Sequence, residues 1–233
     1  MMSMLIESRP IKLTTRTGVS VDRTLPHKNL KTIGAWCFVD HFGPTKQTDG
    51  MVVASHPHTG LQTATWLFEG EIEHRDSIGT IQNIEPGQLN LMTAGRGIAH
   101  SELALADAST LHAVQLWIAL PDSVRKMAPE FEHQSDLPTL ALGVVSATVF
   151  AGALVGHENQ RAATKLFSPL VGAELRLPAG ATAEVKLNPN FEHGFLVVQG
   201  QVSINDEPVD LHNMSYHETG QDVVRLANQG DSE

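Results

Sequence analysis

The amino-acid sequence predicts an all-β protein made of two β domains. Short apolar runs broken by glycine, proline, asparagine and aspartate recur along the whole chain, a pattern typical of β-sandwiches and β-barrels. Helical periodicity is nearly absent, which argues against a helical or mixed fold. The 233 residues are enough for two domains of about 100 residues each, and a weak internal repeat supports that division.

The first half of the chain contains predicted strands joined by tight turns. They cover residues 61–68, 71–76, 88–92 and 112–120, with a further strand through His100 and Glu102. The segment 121–138 mixes charges and prolines and is the best candidate for a domain boundary. We therefore predict domains over residues 1–135 and 136–233.

The internal repeat relates residues 66–73 to residues 196–203 at an offset of 130. The same offset places Lys186 and Asn188 at the positions of His56 and His58. A second alignment, at an offset of 124, places Val224 and Leu226 at the positions of His100 and Glu102. The second domain is therefore predicted to repeat the architecture of the first without its polar pairs.

Those polar pairs, His56 with His58 and His100 with Glu102, are the strongest functional signal. Their i, i+2 spacing puts both members of a pair on the same face of a strand. Val52, Ala54 and Ile98 are assigned to the same faces, so each strand is apolar until it reaches its pair. One H-x-H motif is weak evidence, but two pairs in phase predict a metal site of three imidazoles and one carboxylate near a barrel mouth.

Composition restricts the classes of partner. The net charge of −10 and the pI near 5.6 disfavour direct binding to nucleic acid. Cys37 is the only cysteine, so the chain has no intrachain disulfide and suits a reducing compartment. The first residues include Glu7 and Arg9 and do not resemble a secretory signal. We expect a cytoplasmic protein without a membrane partner.

Several longer strings resemble the pirin family of the cupin superfamily. They are D-H-F-G-P at residues 40–44, H-P-H-T-G at 56–60, E-G-E-I-E-H-R-D-S at 69–77, P-G-Q-L-N-L-M-T-A-G-R-G-I-A-H-S-E at 86–102 and Q-L-W-I-A-L-P at 115–121. Gly50, followed after five residues by His56-x-His58, also resembles the start of the first cupin motif. The resemblance is dense over residues 30–135 and thinner afterwards.

This resemblance implies a bicupin, which is a pair of antiparallel jelly-roll β-barrels, with metal in the N-terminal barrel only. By position, the family's metal ligands are the same four residues. The implied cofactor is one divalent metal ion, with iron favoured and nickel, zinc, copper and manganese as alternatives. Gln62 stands where many cupins have a metal-binding glutamate, so the carboxylate role rests on Glu102. Relatives usually continue beyond the strand at 223–226, so we expect a second barrel truncated at its C-terminus.

The ligand set predicts a site open to substrate. Four protein ligands leave neighbouring positions on an octahedral metal, and Glu102 could also act as a general base. Gln62, Trp66 and Phe68 share one strand face and, with Leu91, are candidate pocket walls, although ordinary core is the alternative for the two aromatic residues. Which face points inward is not decided by the sequence. His74 completes no ligand pair and is a candidate hydrogen-bond partner or strand wall.

Two functions fit this site. The first is a metal-dependent dioxygenase that opens a small planar aromatic substrate such as the flavonol quercetin with dioxygen, an activity that the resemblance implies for bacterial members. The second is a non-catalytic, metal-dependent regulator that binds another protein. The same four ligands serve both functions, so the motif alone does not separate them.

Overall fold

The computed structural model describes residues 3–13, 20–46, 51–105 and 110–232, and these residues are almost entirely β-strand. The predicted all-β class is confirmed. The helical element that we find in the described ranges is a 3-10 turn, Glu158–Gln160. None of the helices in those ranges is long and apolar enough to cross a membrane.

The chain divides into two compact units. One comprises Arg9–Asp136, and the other contains Leu137 onward together with the N-terminal strand β1 (Ser3–Ile6), which pairs with β20 (Met214–His217). The predicted first domain, residues 1–135, includes β1. Local patterns do not reveal a strand pairing between residues more than 200 positions apart, which is why this assignment is corrected.

The first unit consists of two antiparallel sheets. The larger sheet has seven strands in the order β12-β9-β6-β11-β4-β3-β2. These are β2 (Arg9–Lys12), β3 (Ser20–Leu25), β4 (Trp36–Lys46), β6 (Leu61–Glu69), β9 (Leu89–Thr93), β11 (Thr110–Ala119) and β12 (Glu130–Gln134). The smaller sheet has the order β5-β10-β7-β8, formed by β5 (Val52–His58), β7 (Ile72–Asp76), β8 (Ile81–Ile84) and β10 (Ile98–Ala104).

An apolar core joins the two sheets at one end. Leu67 and Leu111 of the larger sheet belong to the same buried cluster as Ile72 and Ile84 of the smaller sheet. Burial of such side chains is the main favourable term in the folding of a β-sandwich.

At the other end, Gly95 turns the chain into β10 with a φ of +53°, and a Cβ there would lie 2.3 Å from the Met127 carbonyl oxygen. Only glycine fits this turn.

The second unit repeats this architecture around its own apolar core. Its strands, besides β1 and β20, are β13 (Thr139–Leu142), β14 (Val145–Ala151), β15 (Gly172–Arg176), β16 (Thr182–Lys186), β17 (His193–Leu196), β18 (Val202–Ile204), β19 (Glu207–Val209) and β21 (Val223–Asn228). The sheet β16-β21-β18-β19 matches β5-β10-β7-β8 strand for strand. The sheets β1-β20-β17 and β13-β14-β15 match the two sides of the larger sheet, and no strand within residues 137–232 takes the place of β11.

Candidate metal centre

The two ligand pairs lie on neighbouring strands, as the sequence predicts. In the antiparallel pairing of β5 with β10, His56 is opposite His100 and His58 is opposite Ile98. The ligand atoms of the three histidines all lie within 4.8 Å of one another. The Nε2 atoms of His58 and His100 are 3.1 Å apart, so both point into the cluster.

Glu102 lies in a second group that overlaps the first. Its carboxylate and the ring nitrogens of His74 and His100 lie within 4.8 Å of one another, so His100 belongs to both groups. Glu102 is opposite His74 on β7 and opposite Val53 on β5. The structure thus joins the four predicted ligands through His100 and adds His74, which completes no pair in the sequence.

A β-bulge explains why the apolar phase of β5 differs from the prediction. Between the pairs His56–His100 and Val53–Glu102, β5 has one residue more than β10. The extra residue reverses the alternation of side chains. Val53 therefore packs against the core, whereas Val52 is 38% exposed. The assignment of Val52 and Ala54 to the inner face is corrected, but the ligands beyond the bulge keep their phase.

Two histidines of this cluster, His58 and His100, are held in their neutral form. Burial, with the charge of His56 as a smaller cause, lowers the pKa of His58 to about 4. Burial also lowers the pKa of His100 to about 2, assisted by the charges of His56, His74 and His58. The His56 Nδ1–H donates to the Ala54 carbonyl oxygen at 2.9 Å, which leaves its Nε2 lone pair available. Neutral imidazoles are the form that binds metal.

The carboxylate side of the site is buried and hydrogen-bonded. Burial raises the pKa of Glu102 to about 7, and the hydroxyl of Thr65, 3.2 Å away, lowers it in part. Thr65 Oγ1 also lies 3.0 Å from Gln115, whose Nε2 has no hydrogen-bond partner among the described residues. The nearest Gln115 atom is Oε1, so the one Thr65 proton has two acceptors; with the Gln115 amide turned over, Nε2–H would donate to Thr65 and the hydroxyl proton would go to Glu102.

The donor set fits the metal that the cupin resemblance implies. Imidazole nitrogens and a carboxylate oxygen are ligands that divalent first-row metals accept. The pKa values of His58 and His100 are lowered, so these two imidazoles carry free lone pairs at neutral pH, and burial raises the pKa of Glu102 to about 7. His56, His58 and His100 would hold the ion within one group of ligand atoms, and Glu102 belongs to the overlapping group with His74 and His100.

The predicted pocket walls lie on the wrong side of the larger sheet. Thr65 of β6 contacts Glu102, so Thr63 and Thr65 face the ligands and the alternate residues of β6 face away. The residues facing away include the four predicted wall residues: Gln62, Trp66 and Phe68 on β6, and Leu91, which is on β9 next to Ala64. Trp66 and Leu91 are each 1% exposed. Gln62, Trp66 and Leu91 are buried and Phe68 is half-buried, all on the face away from the ligands, and the pocket assignment is corrected.

Aromatic side chains from other strands lie beside the ligands instead. The Trp117 ring on β11 packs edge-on against His58 with centroids 4.9 Å apart, and Phe38 stacks on Trp117 at 3.8 Å. The Arg23 guanidinium lies 4.0 Å from the Phe38 ring centroid and is bonded to Asp40 at 2.6 Å. The alternation of β11, with Gln115 and Trp117 on one face, was the signal that could have identified this wall.

Comparison with known proteins identifies the family. The Pirin family model matches residues 18–118. A protein of Pseudomonas aeruginosa named "Putative quercetin 2,3-dioxygenase" is 45% identical over 211 residues, which are 90% of this chain and 66% of that protein. A "Pirin-like protein" of Caulobacter vibrioides is 33% identical over 88% of this chain and 73% of its own length. The chain belongs to the pirin family.

A solved structure supports both the family and the bicupin fold. The crystal structure of quercetin 2,3-dioxygenase from Acinetobacter baumannii superposes with a TM-score of 0.92 at 38% identity, covering 99% of this chain and 76% of that one. The Pirin match at residues 18–118 spans the four candidate ligands and Trp117. The pirin signature of this chain and its candidate metal centre are therefore in the same unit.

Proposed function

We propose that this protein binds one divalent metal ion through His56, His58, His100 and Glu102 and opens a flavonol ring with dioxygen. The observation that carries the proposal is the cluster of three imidazoles, two of which burial holds neutral, next to a buried carboxylate. The choice of a flavonol is supported by the names of the Pseudomonas and Acinetobacter relatives, both of which refer to quercetin 2,3-dioxygenase.

The bound metal would supply neighbouring coordination positions where a substrate oxygen and dioxygen meet. Iron is our preferred ion, although these ligand types also suit nickel, copper, zinc and manganese. Glu102 has a second task. As a carboxylate beside the metal, it would act as a general base. Its carboxylate can accept the proton of the flavonol hydroxyl next to the ring carbonyl, so that the substrate binds as an anion.

The aromatic wall would orient the substrate. Trp117 and Phe38 are partly exposed and stacked on the ligand side of the larger sheet. Planar aromatic molecules gain from offset or edge-on contact with such rings. The Arg23 guanidinium, which is paired with Asp40, lies over the Phe38 ring. The two stacked rings support a planar aromatic substrate.

The test measures quercetin consumption and carbon monoxide release by protein loaded in turn with iron, nickel, manganese and copper. We expect turnover above the free-metal control with at least one metal. His56→Ala should lose metal and turnover together, because it removes one of three imidazoles. His157→Ala is the matched control, since His157 lies in the second unit and bonds only locally to Gln160.

The contrary result is equally informative. A wild-type protein that binds one metal per chain but shows no turnover with any of the four ions would overturn the dioxygenase proposal. It would favour the metal-dependent regulator, which needs the same ligands but no substrate.

A further inference from the structure

A chain of hydrogen bonds runs from the candidate ligand His100 away from the metal cluster. The Nδ1 atom of His100 lies 3.4 Å from Nδ1 of His74, and Nε2 of His74 lies 3.2 Å from Oδ2 of Asp76. The side chains of His74 and Asp76 are only 3% and 0% exposed. The opposite nitrogen of His100, Nε2, faces the other histidines of the cluster.

The direction of each proton in this chain follows from the chemistry of its ends. A metal ion on Nε2 of His100 needs the lone pair there, so the ring proton must be on Nδ1. Nδ1 of His74 then accepts a hydrogen bond from Nδ1–H of His100. The proton of His74 itself is on Nε2, and this N–H donates a hydrogen bond to the Asp76 carboxylate. Every link has one donor and one acceptor, and both ring nitrogens of His74 are engaged.

We propose that His74 and Asp76 are positioning residues that fix His100 in the tautomer and orientation required for Nε2 to bind metal. This inference rests on the metal site of the proposed function. His74 is not itself a ligand in this arrangement, although it lies close enough to be one, because Asp76 and His100 occupy its two nitrogens.

Backbone N–H groups hold the Asp76 carboxylate, which is the far end of this chain of hydrogen bonds. Oδ1 of Asp76 accepts the N–H groups of Ile78 and Thr80, each at 3.0 Å. The turn that carries them is tied to β10, since the Ser77 N–H donates to the Ala99 carbonyl oxygen at 2.8 Å. The end of β7 that carries Asp76 is therefore tied to β10, the strand that carries His100, and Asp76 is opposite His100 in the pairing of these two strands.

The ring of His74 is also fixed from the side. Phe131 of β12 packs against it with ring centroids 4.6 Å apart and an interplanar angle of 30°. A carboxylate that polarises a ligating imidazole through such a chain makes the ligand more basic, and loss of such partners typically weakens metal binding by about 10- to 100-fold.

The test compares Asp76→Asn and His74→Phe with wild type by titration with Ni²⁺ and Co²⁺. We expect one metal per chain in all three proteins, with a Kd about 10- to 100-fold higher in both variants. The absorption bands of bound Co²⁺ should shift and the reduction potential of bound iron should rise, because His100 donates less charge. Arg75→Gln is the control, since this exposed residue lies between the two and bonds to Glu73.

The outcomes separate this inference from the proposed function. A wild-type protein that binds no metal overturns both. A wild-type protein that binds metal, with folded variants that keep its Kd and Co²⁺ spectrum, overturns the positioning role alone. Complete loss of metal in His74→Phe with no change in Asp76→Asn would make His74 a ligand and also contradict the inference. If His74→Phe does not fold, the nearly isosteric Asp76→Asn decides.

Discussion

Glu102 is the residue at which burial and metal chemistry oppose each other. Burial favours its protonated form and raises its pKa to about 7, yet a metal ion binds only the carboxylate. The hydroxyl of Thr65 acts in the opposite direction because it stabilises the charged form. At the residue scale, the affinity for metal therefore depends on how easily one buried proton leaves.

Metal affinity should fall as pH decreases through 7. Because the folded pKa of Glu102 is raised, the carboxyl holds its proton below about pH 7, and binding must release it. Below that point the Kd for Mn²⁺ or Ni²⁺ should rise by up to about tenfold per pH unit from this group. Thr65→Val removes the donor that lowers the pKa, so the same rise should begin at higher pH.

Calorimetric titrations between pH 6 and 8, in buffers of different ionisation enthalpy, would measure both the Kd and the number of protons released. Thr164→Val is the matched control, since this buried threonine belongs to the second unit and donates to the Phe150 carbonyl oxygen. A pH profile identical in wild type and Thr65→Val would contradict the role of Thr65.

At the scale of elements, β6 shows what the sequence can and cannot predict. Alternation correctly grouped Gln62, Trp66 and Phe68 on one face. It could not tell which face meets the ligands, because β6 is a central strand buried on both sides from residue 62 to residue 67. Neither face carries the polar side chains typical of a solvent-facing strand, so only the packing of the two sheets, seen in the contact of Thr65 with Glu102, decides the question.

The two faces of this sheet should respond differently to mutation. Trp66→Ala leaves a cavity in the core and should cost about 3–5 kcal/mol of unfolding free energy, with the metal Kd unchanged. Trp117→Leu, on the ligand face, should keep one metal per chain but weaken anaerobic quercetin binding. Urea denaturation and fluorescence titration measure the two effects. Equal loss of quercetin affinity in a folded Trp66→Phe variant would contradict this assignment.

For the whole molecule, the internal repeat predicted more than any single motif. The strand orders of the two units correspond, with the exception of β11, and the repeat also predicted that the second unit lacks the ligand pairs. The pairing of β1 with β20 could not be predicted from the sequence, because nothing in a four-residue strand specifies a partner so far along the chain. The shared strand face of each ligand pair was predictable, because the i, i+2 spacing is a local feature of the sequence. The bulge in β5 was not predictable.

The same comparison leads to the expectation of one metal per chain. Where the first unit has His100 and Glu102, the repeat gives the second unit Val224 and Leu226, and both belong to its apolar core. His193 and His217 face each other across β17 and β20 but bond to the Asn188 carbonyl oxygen and Ser215 Oγ, respectively. Among the described residues, no group of three ligands is drawn from the second unit alone.

Metal analysis of wild type, His100→Ala and His193→Ala tests this expectation. Wild type and His193→Ala should each retain one equivalent after dialysis, and His100→Ala should retain none, because His100 belongs to both ligand groups of the first unit. His193→Ala is a demanding control, since it removes a buried histidine of the same chemistry from the other unit. A full equivalent remaining in His100→Ala, or an anomalous peak within the second unit, would mean that metal binding does not depend on the paired ligands of β5 and β10.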